Sequence, residues 1–176
     1  MQDALHYLVD TILSLVFFVF LLRLLLQWVR ADFRNPLAQA IVGLTNWLIM
    51  PLRRVLPPIG RIDSASVVAI VLIALLQVAA GSLLRGFGLP APIEWLRLGA
   101  LEIARTLLWV YFWAIFLYAM LSMLAPGNYS PAQSLLNSLC EPVLRPIRRH
   151  VPPLANLDLS PLWAGIGIQM LLILLR

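Results

Sequence analysis

Two uncharged stretches constrain this chain more than any other feature: Ser64–Leu84, 21 residues, and Thr106–Ala125, 20 residues. The hydrocarbon core of a bilayer is roughly 30 Å thick and takes about 20 helical residues to cross. A helix satisfies its own backbone hydrogen bonds there, where water cannot. Two further stretches read the same way. Leu8–Val29 is long enough but carries Asp10 near one end and Arg23 near the other, and Leu159–Leu175, at 17 residues, is at the lower limit. Four transmembrane helices are therefore expected, at about 8–29, 64–84, 106–125 and 159–175. Composition points the same way: 61% of the 176 residues are hydrophobic and 12% charged, too little charge to cover the large relative surface of a small water-soluble fold. The first stretch reads as a retained span, because the residues before it carry Asp3 and Asp10 and no arginine, unlike a signal peptide. Cys140 is the single cysteine, which excludes an intrachain disulfide and a CxxC or CxxCH motif.

The chain also repeats itself. A shift of 95 positions lays Pro51-Leu52-Arg53-Arg54 on Pro146-Ile147-Arg148-Arg149, Pro57-Pro58 on Pro152-Pro153, Asp63 on Asp158, Leu44 on Leu139 and Pro36 on Pro131. The shared pattern is P-[L/I]-R-R-x-x-P-P, with an aspartate five residues after the second proline. Each repeat is span, connector, span. The first covers residues 1–84 with connector 30–63, a linker covers 85–97, and the second covers 98–176 with connector 126–158. An even number of spans per repeat predicts parallel-type helical hairpins related by an axis along the membrane normal, with both connectors on one face. Arginine placement agrees. All 13 basic residues are arginine, and nine of them (Arg23, Arg30, Arg34, Arg53, Arg54, Arg61, Arg145, Arg148 and Arg149) fall on the connector side. The positive-inside rule then predicts cytoplasmic connectors and both termini outside.

The connectors are too apolar for plain loops. Asn35-Pro36 and Ser130-Pro131 each set a capping residue before a proline at the first helical position, and Ser130 with Gln133 matches a capping box. Leu37, Ile41, Leu44 and Leu48 recur at helical spacing, as do Ala132, Leu136, Leu139 and Val143. This predicts amphipathic interfacial helices of three to four turns, apolar stripe towards lipid or the bundle. Pro51 and Pro142 are expected to end them, leaving the Arg-Arg and Pro-Pro segments stiff and extended. Arg53, Arg54, Arg148 and Arg149 would be drawn to anionic phospholipid headgroups. They fix topology on one reading and form a lipid- or partner-binding surface on a sharper one. Asp63 and Asp158 open the second span of each repeat, where helix capping competes with a salt bridge to the nearby arginines.

The doubled unit of N-P or S-P, connector helix, P-x-R-R-x-x-P-P and aspartate resembles the YggT family. The matching residues are Asn35, Pro36, Pro51, Arg53, Arg54, Pro57, Pro58 and Asp63, then Ser130, Pro131, Pro146, Arg148, Arg149, Pro152, Pro153 and Asp158. The first copy departs from the family pattern at Ala65-Ser66, where the second has Ser160-Pro161. The resemblance implies a small integral protein of the bacterial inner membrane or of plastid membranes. It ties the chain to osmotic and ion homeostasis, to division and envelope organisation, or to cytochrome assembly, and it supplies no catalytic residues.

Within the spans, Arg23 is the candidate intramembrane charge, read first as a snorkelling residue near the connector end. Its repeat counterpart is Tyr118. Gln77 and Gln169, with Gln27, read as interhelical hydrogen-bonding groups. His6 and His150 lie far apart, no convergent ligand set for a metal is visible, and neither a phosphate loop nor a nucleophile elbow is present. Glu94, Arg97, Glu102 and Arg105 lie roughly on one face of a helix leading into the third span. The expectation is a non-enzymatic, cofactor-free, all-α membrane protein. It would act as an organiser or assembly factor through a basic surface, with lipid headgroups, a membrane protein or a second copy as partner and no nucleic acid. The alternative is a small channel or transport-related protein, with Arg23, Gln77 and Gln169 as its polar groups.

Overall fold

A computed structural model describes residues 2–57, 63–124, 130–151 and 158–176. Pro58, Pro152 and Pro153 of the repeated motif, and Arg61 of the first connector, lie outside the described residues. Six helices and no strand occur among those described: α1 Gln2–Trp28, α2 Pro36–Val55, α3 Ser64–Leu84, α4 Pro92–Leu124, α5 Pro131–His150 and α6 Ser160–Leu174. Three are long and apolar enough to cross a membrane, over Ala4–Trp28, Ser64–Leu84 and Pro92–Met123. The protein is therefore an all-helical membrane protein. The fourth expected span is the shorter α6, whose 15 residues make about 22 Å of helix.

The helix ends follow from local chemistry. At the end of α3, Gly86 takes φ +77°, a conformation that costs glycine nothing. Its N–H donates to Leu83 O and that of Phe87 to Ser82 O, the paired bonds of a Schellman cap. Helix α1 closes with the same bonds, Arg30 N–H to Gln27 O and Ala31 N–H to Leu26 O, but Arg30 holds the left-handed position at φ 55°. Helix α4 starts at Pro92, inside the expected 85–97 linker, and runs unbroken through the third apolar stretch. Its first turns carry the exposed Arg97–Glu94 pair at 3.4 Å.

The chain forms two compact units, one of residues 1–24 with 41–106 and one of residues 25–40 with 107–176. In the first, Phe17, Phe20, Leu21, Ile70 and Ala74 are buried. There Gln77 Nε2 donates to Ser14 Oγ at 3.0 Å, an interhelical bond of the expected kind, and Trp95 Nε1 donates to Leu75 O. In the second, α5 packs on α6 with Leu135, Leu139, Cys140 and Leu144 buried.

The connector helices correct one expectation. Neither stops at its proline: α2 continues through Pro51 to Val55, and α5 through Pro142 and Pro146 to His150. Each is 20 residues long, so Arg53, Arg54, Arg148 and Arg149 are helical, not extended. A proline inside a helix removes one hydrogen bond and crowds the carbonyl four residues back. All three prolines are on the exposed side, where solvent can serve the freed carbonyls, and the last turns are tied down by ion pairs described below. Of the two orientations open to the apolar stripe of α2, towards lipid or towards the bundle, its exposed leucines take the first. The buried side of α2 is Ala38, Thr45 and Ile49, while Leu37 and Leu44 of the predicted stripe are exposed. A threonine faces inward because Arg23 needs an acceptor there.

Candidate functional site

The repeated motif closes on itself twice. Arg53, in the last turn of α2, reaches ten residues along the chain to Asp63, the N-cap of α3. Its Nε lies 3.2 Å from both carboxylate oxygens and its Nη2 2.6 Å from Oδ2. Ser66 Oγ donates to the same Oδ2 at 2.7 Å. The Asp63 side chain is 1% exposed, so this is a planar guanidinium fork on a buried carboxylate. The aspartate sits at the cap position, yet its side chain makes no hydrogen bond to a helix N–H. Of the two structural roles open to it in the sequence, the salt bridge is the one formed. Burial alone would raise the carboxyl pKa; hydrogen bonds from Arg53 and Ser66 and the Arg53 charge outweigh it and hold the group below the usual range.

The second copy spreads the same pair over more partners. Arg148 Nε donates to Asp158 Oδ2 at 2.8 Å, Nη1 to Glu141 Oε2 at 3.0 Å and Nη2 to Tyr118 Oη at 3.2 Å. The guanidinium carbon stands 5.9 Å from the Tyr118 ring centroid, within cation–π range. Asp158 Oδ1 accepts from Ser160 N at 2.9 Å, so this aspartate caps the start of α6 as well as pairing. Its side chain is 43% exposed. Burial again works to raise the Asp158 pKa, and the bonds from Ser160 and Arg148 lower it further than burial lifts it.

In both copies the second arginine, Arg54 and Arg149, is exposed and has no partner among the described residues. The first guanidinium of each pair is thus consumed in holding the connector to the next helix, while the second points outward. Asn35 and Ser130 behave as the caps the sequence predicts. Asn35 Oδ1 accepts from Leu37 N at 2.9 Å, and Ser130 Oγ accepts from Gln133 N at 3.1 Å. Asn35 does more: its Nδ2 donates to Pro131 O at 2.7 Å, joining the start of one connector to the start of the other. Pro57 O accepts from Ser64 Oγ at 2.7 Å, and Pro36 and Pro131 open their helices.

Arg23 does not snorkel. It is 4% exposed, and its Nη1 donates to Thr45 Oγ1 at 2.6 Å, Asn46 Oδ1 at 2.9 Å and Val42 O at 3.3 Å. No described carboxylate lies within salt-bridge distance of it. Three acceptors on α2 replace water, which is how a long cationic side chain is tolerated inside. The sequence signal that identifies Thr45 is a polar residue at helical spacing from Ala38 and Ile49. Gln77 Oε1 and Ser160 Oγ are buried without a partner. Gln169 lines a groove between α4 and α6, away from Gln77 and Arg23 in the chain. Cys140 is buried, and burial pushes its thiol up to about 12, against a smaller opposing effect of Arg148. That is the environment of an inert core cysteine.

The CCB3/YggT family model matches residues 2–84 and 98–176. The chain is 40% identical over 172 residues to the uncharacterized protein PA0392 of Pseudomonas aeruginosa, covering 97% of this chain and 87% of that one. It is 35% identical over 161 residues to the uncharacterized protein YggT of Escherichia coli K12, covering 92% and 83%. A protein of Vibrio alginolyticus is 36% identical over 169 residues, covering 96% and 91%. No solved structure matches. The chain therefore belongs to the CCB3/YggT family.

Proposed function

We propose that this protein is a non-enzymatic organiser or assembly factor of the bacterial inner membrane that works through a basic surface on the cytoplasmic side. One observation carries the reading: in both connectors Arg53 and Arg148 are spent on ion pairs, which leaves Arg54 and Arg149 outward on clamped helices. A cation on an immobilised helix loses less entropy on binding than one on a loose loop. In this arrangement α1, α3, α4 and α6 cross the bilayer as two parallel hairpins, α2 and α5 lie in the cytoplasmic interface, and both termini are outside. The arginine distribution supports that orientation. At 15 residues, α6 crosses with its flanking residues drawn towards the interface or with local thinning of the bilayer.

A photo-reactive residue placed at position 50 or 145 tests the partner claim in cells. The expected result is a discrete protein adduct that disappears in the Arg54→Gln/Arg149→Gln variant. Adducts with lipid alone would overturn it. Labelling of single cysteines introduced at positions 54, 90 and 149 tests the orientation. Positions 54 and 149 should react from one side and 90 from the other.

A further inference from the structure

The second repeat contains a groove at positions whose first-repeat counterparts are buried. About 980 Å³ lies open between α4 and α6, walled by Phe112, Phe116, Gly165, Ile166 and Gln169 among others, and it reaches Tyr118 and Asp158 at the motif end. The first-repeat counterparts of Phe112, Phe116, Gly165 and Gln169 are Phe17, Leu21, Ile70 and Ala74, and each is buried. Replacement of an isoleucine by Gly165 removes the side chain that would occupy the space. A methyl group on Gly165 would meet Phe112 Cε2 at 3.9 Å, an ordinary contact, so glycine is not demanded there by crowding.

The polar end of the groove also differs. Arg148 bonds both Tyr118 and Asp158, two residues that line the groove, which brings the last turn of α5 next to it. Arg149 is next in the chain, and Arg145, one turn back, stands where the first repeat has Met50. Arg145 and Arg149 are exposed and without partners among the described residues. The acidic groups at this end, Glu141 and Asp158, are both held by Arg148. The last two turns of α5, the helix that adjoins the groove through Arg148, therefore carry two exposed guanidiniums not committed to any described residue. From Asp158 to Gln169 the α6 wall runs about 17 Å, close to the depth of one leaflet, about 15 Å.

We propose that this groove holds one acyl chain of an anionic phospholipid whose phosphate is bound by Arg145 and Arg149. This rests on the reading of the connectors as a headgroup-level surface, but it assigns a lipid to the second repeat and none to the first. Charge complementarity selects the occupant: an apolar tail and an anionic head match the groove and the two arginines together, whereas a plain apolar helix leaves both arginines unserved.

The test uses the full chain in bilayers of phosphatidylcholine with a minor fraction of phosphatidylglycerol, followed by detergent extraction and native mass spectrometry. One retained phosphatidylglycerol per chain is expected. Gly165→Ile, which restores the first-repeat residue, should lower retention at least tenfold, as should Ile166→Trp, which fills the groove from its exposed wall. Arg145→Met/Arg149→Gln should abolish the preference for phosphatidylglycerol over phosphatidylcholine. Unchanged retention in a folded groove variant, equal retention of both lipids by the wild type, or a dimer that Gly165→Ile dissociates would each overturn the proposal. Because purified protein carries no partner, lipid retained by a chain that gives no protein adduct in cells would sink the organiser reading alone.

Discussion

Arg53 meets a buried carboxylate at Asp63, and Arg148 meets an exposed one at Asp158. The residues, the spacing of ten and the position between a connector and the next helix are the same. In the first copy one carboxylate, 1% exposed, takes three arginine contacts and a serine hydroxyl. In the second, one guanidinium is divided among two partly exposed carboxylates and a phenol. The motif thus specifies a connection without specifying its energy. Energy depends on burial, because a buried charge stripped of its partner keeps the whole desolvation penalty, whereas an exposed pair gains little over water.

Removing Arg53 should therefore have the largest effect. Arg53→Gln leaves Asp63 buried and unpaired, at a cost of about 3–5 kcal/mol, read as unfolding free energy in mixed micelles. A loss no larger than that of Arg148→Gln would break the comparison. Next comes Arg23→Met, expected to cost about 1–3 kcal/mol because Asn46 and Thr45 lose their donor inside the protein. If Arg23 were instead a snorkelling charge, methionine would be tolerated without loss. Asp158→Asn should cost only about 1 kcal/mol, since its pair is exposed and asparagine can still accept from Ser160 N.

Acid sharpens the same contrast. Both aspartates have pKa values held below the ordinary range. Their contribution to stability is therefore complete above the unfolded value of about 3.9 and is lost as pH falls through the lower folded values. Wild type and Asp63→Asn should show unfolding midpoints that converge below about pH 4. A gap that closes already between pH 5 and 7 would contradict the sign of the shift.

Much of this was legible in the residues. The Ser64–Leu84 span coincides with α3, because an uncharged run bounded by Asp63 and by Arg85-Gly86 has a start and a stop of its own. Asn35 and Ser130 cap as read, and the repeated Arg-to-Asp spacing already contained the ion pair as one of two roles. The course of the connectors beyond Pro51, Pro142 and Pro146 was not legible. A proline's local penalty, about 3 kcal/mol in a helix interior, is visible in sequence, while the tertiary ties that offset it are not. The inward turn of Thr45 was hidden for a related reason. Hydrophobic periodicity leaves the stripe of Leu37 and Leu44 free to face lipid or the bundle, and only the position of Arg23 on another helix explains why Thr45 was buried. The equivalence of Arg23 with Tyr118 carried a hint, since Tyr118 also serves a connector group, Arg148.

Labour is divided within each arginine pair: the first holds the helix end, and the second faces outward. The unfolding free energies of Arg53→Gln/Arg148→Gln and of Arg54→Gln/Arg149→Gln, measured side by side in the same micelles, test it most directly. The expected loss is about 4–6 kcal/mol for the former, the sum of a pair made on a buried carboxylate and an exposed pair, and the expected change is within about 1 kcal/mol for the latter. Comparable losses in the two double variants would contradict it.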